Sequence, residues 1–116
     1  MKTQSELWRL IESAQWESDH DYERINAFFK KELNEEVLKQ LENFANEMSD
    51  NLYDKFEKDW LGKPGIRVSD DSWMDLRAEV VGRGEEFYNN ITAAKLREMA
   101  KKNDFEENFL YSFDSE

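Results

Sequence analysis

Residues 34–60, NEEVLKQLENFANEMSDNLYDKFEKDW, decide the fold. Val37, Leu38, Leu41, Phe44, Ala45, Met48, Leu52 and Phe56 recur at steps of three and four, the spacing that gathers side chains on one face of an α-helix. Asn34 is the natural cap, and the acids behind it stand where the helix dipole favours negative charge. The pattern lasts about 22 residues, which predicts a long central strut. It ends near Trp60, because Gly62, Pro64 and Gly65 follow within a few positions and the residue before a proline resists helical angles.

The same periodicity runs outward in both directions, and no stretch alternates as a strand does. Upstream, Thr3 or Ser5 caps a first helix to about residue 16 that carries Leu7, Trp8, Ile11 and Ala14, and Thr3 with Glu6 fits a capping box. SDHD turns the chain. A second helix, from about residue 20 to 32, presents Tyr22, Ile25, Phe28 and Phe29, with Leu33 closing its stripe. Downstream, a loop over residues 61–69 leads to a helix over 70–82, for which Gly82 and Gly84 are stop residues. A short helix with Phe87, Tyr88 and Ile91 follows. Thr92 then caps AAKLREMAKK, and Asp104 with Glu107 reads as a capping box opening a last turn or two through Phe105, Phe109, Leu110 and Phe113. The final FDSE is expected to fray. The expectation is an all-α fold: a single compact domain over residues 1–116, with about five to seven helices around one long central helix.

Composition narrows the function. The 116 residues include eight Phe, four Tyr and four Trp, enough aromatic material for one core. Acids number 27 against 16 basic residues, a formal net charge of -11, which repels phosphate backbones and anionic membranes and points to a protein partner of basic character. Absence of cysteine removes disulfides and thiolate sites and suits a cytoplasmic protein. The N-terminus MKTQSELWRLIES turns charged too soon for a secretion signal, and no apolar run approaches the roughly 20 residues that span a bilayer. No cofactor is expected. Oligomeric state is not legible.

The strongest candidate for chemistry is Asp70 and Asp71, at the start of the fourth helix. Arg77 falls on the same stripe as Trp73, Leu76, Val80 and Val81, and a buried guanidinium requires an acceptor. Asp70 projects to that side and is expected to pair with Arg77, while Asp71, Ser69 or Ser72 caps the helix. The alternative is a small metal-dependent hydrolase or metal-binding protein in which both aspartates hold a divalent cation or act as acid and base. Two adjacent carboxylates supply only part of such a site. Trp60 and Trp73, flanking the loop, belong to core stripes and are also candidates for lining a pocket. His20, the lone histidine, reads as a surface turn residue, since histidine metal sites need company. No nucleophile elbow occurs, and GKPG lacks the ending of a phosphate loop.

Three segments carry a resemblance to the bacterial proteins grouped as domain of unknown function 4240. LWRLIESA, residues 7–14, resembles that family's N-terminal (F/L)W-x-LIE-x-A; SDDSWMDLR, residues 69–77, followed by Gly84, resembles its central S-D-D-x-(F/W)-x-D-(F/L)-R; and ENFLYSFDSE is similar to a Phe-Leu-Tyr segment near its end. Ser72 stands where many relatives have glycine. The resemblance implies a helical fold and a shared role for Asp70, Asp71, Trp73 and Arg77. It implies no named activity.

Overall fold

The structure, a computed structural model, describes residues 2–61, 68–106 and 109–113. Helix α1, Gln4–Ser13, starts on the expected capping box: the Thr3 hydroxyl accepts from the Glu6 N–H at 3.2 Å and the Glu6 carboxylate from the Thr3 N–H at 3.1 Å. It stops earlier than the periodicity suggests, because Gln15 takes a left-handed φ of 59°. Trp16 thereby leaves the helix, yet remains buried.

Helix α2, Tyr22–Glu32, is capped by Asp21, whose carboxylate accepts from the Glu23 and Arg24 N–H groups at 3.1 and 3.2 Å. Asn34 caps α3, Glu35–Leu61, by accepting from the Val37 N–H at 2.9 Å. At 27 residues α3 is about 40 Å long. It sets the long dimension of a molecule measuring 44 × 25 × 23 Å. The whole stripe from Leu38 to Phe56 is buried, and Val37 lies at its edge.

Helix α4, Asp70–Gly82, returns antiparallel to α3, with Arg77 beside Ser49 and Trp73 beside Trp60. Its N-cap is Ser69, which accepts from the Ser72 N–H at 3.2 Å. The sequence shows one apolar stripe on α4, but every residue from Leu76 to Gly82 is buried. This half is enclosed because α3, α5, α6 and the C-terminal segment all pack around it. Gly82 does end the helix, though for a reason of space: a Cβ there would sit 2.5 Å from Cδ1 of Trp16. The glycine that needs its backbone freedom is Gly84, at φ 106°, which caps α5, Glu85–Asn90. Ile91 lies just past α5 in extended conformation and is buried.

Thr92 caps α6, Ala93–Lys102, through the Lys95 N–H at 3.1 Å. The chain closes with a 3₁₀ turn, Phe109–Phe113. Phe109 meets Trp16 at 4.9 Å between centroids and Phe113 stacks on Phe29 at 5.3 Å, both phenylalanines being fully buried. The last turn is therefore a plug in the core between α2, α3 and α4. Two fully buried phenylalanines contribute roughly 1.5–3 kcal/mol each. The buried apolar residues form one cluster, and the architecture is all-α. The GKPG segment, the Glu107 half of the expected C-terminal capping box and the FDSE end lie outside the described residues.

Candidate functional site

The SDDSWMDLR segment turns out to be a packing joint between α3 and α4. Trp73 is buried and Trp60 stacks on it at 5.8 Å, 16° between planes, while Tyr53 tilts against Trp60 at 5.9 Å. The Trp60 indole N–H donates to the Val68 carbonyl at 3.2 Å, tying the entry of α4 to the end of α3.

Arg77 is buried as its wheel position requires, but Asp70 is not its partner. Nη1 donates to the Ser49 carbonyl at 3.0 Å and to the Ser49 hydroxyl at 3.2 Å, and Asp50 lies 4.0 Å away. The guanidinium also lies over Tyr53 at 5.1 Å and Trp73 at 5.5 Å, where ring faces attract a cation. The reason is distance along the axis: Asp70 is seven residues back, about 10 Å at the helical rise, whereas α3 runs alongside at the level of Arg77. Burial pushes the guanidinium below its ordinary pKa, against Asp50 and Tyr53, which raise it. Among the described residues, Arg77 Nε and Trp73 Nε1 remain without a hydrogen-bond partner. Asp70 and Asp71 both lie exposed in the first turn of α4, where the helix dipole favours them. No group of three or more His, Asp or Glu among the described residues is placed to hold a metal ion.

A second constellation, which sequence reasoning missed, centres on Glu79. Its carboxylate is fully buried and accepts from three donors, Trp16 Nε1 at 3.0 Å, the Glu106 N–H at 3.2 Å and Arg83 Nε at 2.8 Å, and His20 Nε2 lies 3.2 Å from it. His20 is in the turn as expected, but its ring rests on this carboxylate and edge-on to Trp16 at 5.1 Å. Arg83 also reaches Asp104, through the side chain at 3.1 Å and the carbonyl at 3.3 Å, and lies over the Phe87 ring at 5.1 Å. Burial alone would depress the Arg83 pKa, yet the bond and charge of Glu79, with those of Asp104, raise it. One carboxylate thus fastens the α1–α2 turn and the C-terminal segment to α4. The signal was in the sequence: a glutamate inside the run LRAEVV, with arginine four residues on.

Above this network opens a cleft of about 600 Å³ between the α1–α2 turn and the α4–α5 junction. Trp16 and Gly82 form part of its lining, and neither Trp60 nor Trp73 reaches it. Arg9 bridges Glu12, at 2.9 Å, and Glu85 along one side. Glu12 also accepts from the Glu85 N–H at 3.0 Å, so α1 holds the start of α5. The lining is mainly polar, which suits charged and hydrogen-bonding ligands better than an apolar cofactor.

No helix among the described residues is long and apolar enough to cross a membrane. No curated protein and no solved structure matches the chain. The family model described as "Protein of unknown function (DUF4240)" does match, over residues 1–114, and the chain belongs to that family.

Proposed function

We propose that the protein is a non-catalytic cytoplasmic domain that binds a basic protein through its carboxylate surface, in the manner of an inhibitor, immunity factor or antitoxin. One observation carries this reading: the fold buries cations and displays acids. Among the described residues Glu79 is the only buried carboxylate, whereas Arg77 is buried and the Arg83 side chain is 11% exposed. The interior thus withdraws more positive charge than negative, and the surface is at least as acidic as the formal -11 implies. Exposed large apolar side chains among the described residues are Met74 and Tyr111 alone, so recognition by charge is better supplied than recognition by a hydrophobic patch.

Charge of this kind steers association and selects against like-charged partners. The test is capture from native lysate followed by association kinetics with the purified partner. A basic partner is expected, with an association rate that falls about tenfold or more from low to high salt. Tight, salt-insensitive binding to duplex DNA, or to an acidic protein, overturns the reading.

A further inference from the structure

Arg77 and Arg83 each have a side chain only 11% exposed, but they are not equally neutralised. Arg83 meets Glu79 at 2.8 Å and Asp104 at 3.1 Å. Among the described residues the carboxylate facing Arg77 is Asp50, 4.0 Å from Nη1, with a side chain 82% exposed. Burial works against the Arg77 charge more than Asp50 and Tyr53 support it.

The contacts of the guanidinium are also one-sided. Nη1 serves both oxygens of Ser49 and faces Asp50, whereas among the described residues Nε has no acceptor and no hydrogen bond leaves Nη2. Nε and Nη2 make up the edge whose N–H groups run parallel, the edge that fits a carboxylate. One turn back on the same face of α4, Trp73 Nε1 is a second buried donor without an acceptor, and the guanidinium lies over its ring at 5.5 Å. The indoles of Trp16 and Trp60 both have acceptors. Trp73 is 1% exposed and Arg77 9%, so bulk solvent does not make up for the two that are missing.

We propose that the α3–α4 joint binds a carboxylate across Trp73 Nε1 and the open edge of Arg77. Its oxygens take Nε–H and Nη2–H side by side, and a spare lone pair remains for the indole N–H. A water molecule in the same place accepts hydrogen bonds but brings no charge, so the anion is the better match for a buried guanidinium. Arg77 keeps the small exposure that Trp73 lacks, and a ligand therefore reaches the guanidinium first. The inference goes beyond the acidic-surface reading and does not depend on it. The net charge of -11 slows an anion's approach, but at contact distance the buried cation decides.

The carboxylate belongs either to a small free acid or to a protein side chain, and two probes separate these sources. Formate and N-acetyl-aspartate amide are titrated into the protein at constant ionic strength, with chloride as control, and the assigned indole N–H resonances are followed. The expected result is a saturable shift of the Trp73 resonance with formate and none with chloride, while the Trp16 resonance stays in place. A response to formate alone assigns the site to a small free acid; a response to both probes extends it to a carboxylate carried on a chain. Arg77→Lys keeps the charge but loses the parallel donors and should weaken formate about fivefold or more. Asp50→Asn, at an exposed side chain where folding is not in question, removes the competing carboxylate and should tighten formate about twofold. An unmoved Trp73 resonance, an equal response to chloride, or one affinity for wild type and Asp50→Asn overturns the proposal.

Discussion

Removing the Glu79 carboxylate takes the acceptor from Arg83 Nε, the Trp16 indole N–H and the Glu106 N–H around one vacated point in the interior, and leaves Asp104 as the partner of the Arg83 guanidinium. Glu79→Ala should therefore destabilise the fold by about 3–5 kcal/mol in urea denaturation, and Glu79→Gln, which keeps an oxygen acceptor, by less. The aspartates of α4 should behave quite differently. Asp70→Ala is expected within about 0.5 kcal/mol of the wild type, because Arg77 is held by Ser49 and the rings of Tyr53 and Trp73. Ser69→Ala should cost about 1 kcal/mol as the lost cap. Thermal melts of wild type, Asp70→Ala and Asp71→Ala, with and without Mg²⁺, Ca²⁺ or Mn²⁺, check the metal alternative in the same series. A cation-dependent rise in wild-type Tm that both variants lose would move the hydrolase ahead of the binding domain. The burial of Arg77 was legible from its wheel position. Its partner was not, since a wheel describes one helix and Ser49 belongs to the neighbour.

At the scale of elements, Gly82 and the C-terminal turn are the places where tertiary contact overrides local preference. Alanine in place of glycine favours a helix by up to about 1 kcal/mol, but at position 82 the new methyl meets the buried Trp16 ring. Gly82→Ala should thus destabilise by about 1–3 kcal/mol, read from the urea midpoint. Phe113→Ala, which empties the slot against Phe29, should cost about 3–5 kcal/mol. At α1 the sign of a pH effect follows from Glu6. The backbone N–H and hydroxyl of Thr3 hold its carboxyl below the ordinary value, so the capping box supports the helix above the unfolded-state pKa. That support is lost as pH falls through the folded-state value. Helical dichroism of a peptide covering α1, wild type against Thr3→Ala, should show a larger acid-side loss in the wild type, because the variant keeps only the backbone N–H bond to Glu6. Most elements, and the caps Thr3, Asn34 and Thr92, could be read from the sequence because each rests on residues within one turn. The last turn through Phe109 and Phe113 was also legible, but the early end of α1 and the seat of that turn in the core were not, because both depend on contacts between elements, Trp16 with α4 and Phe113 with Phe29.

The whole molecule is governed by its charge. Solubility should pass through a minimum near the sequence pI of about 4.6, where self-repulsion vanishes, and light scattering across an acid titration would show it. The cleft escaped the sequence for a reason of the same scale. Its walls come from residues about seventy positions apart, joined only once α1, α4 and α5 have packed. The C-terminal plug reaches further still, to the hydrogen bond from Asn26 to the Ser112 carbonyl across 86 positions. On the ribosome, α1 to α6 are made before Phe109 and Phe113. A nascent chain arrested short of them carries open slots against Trp16 and Phe29, and such exposed apolar surface is what chaperones and proteases act upon. Closure of the core therefore waits on the synthesis of residues 109–113, and a chain cut short of them is marked for removal.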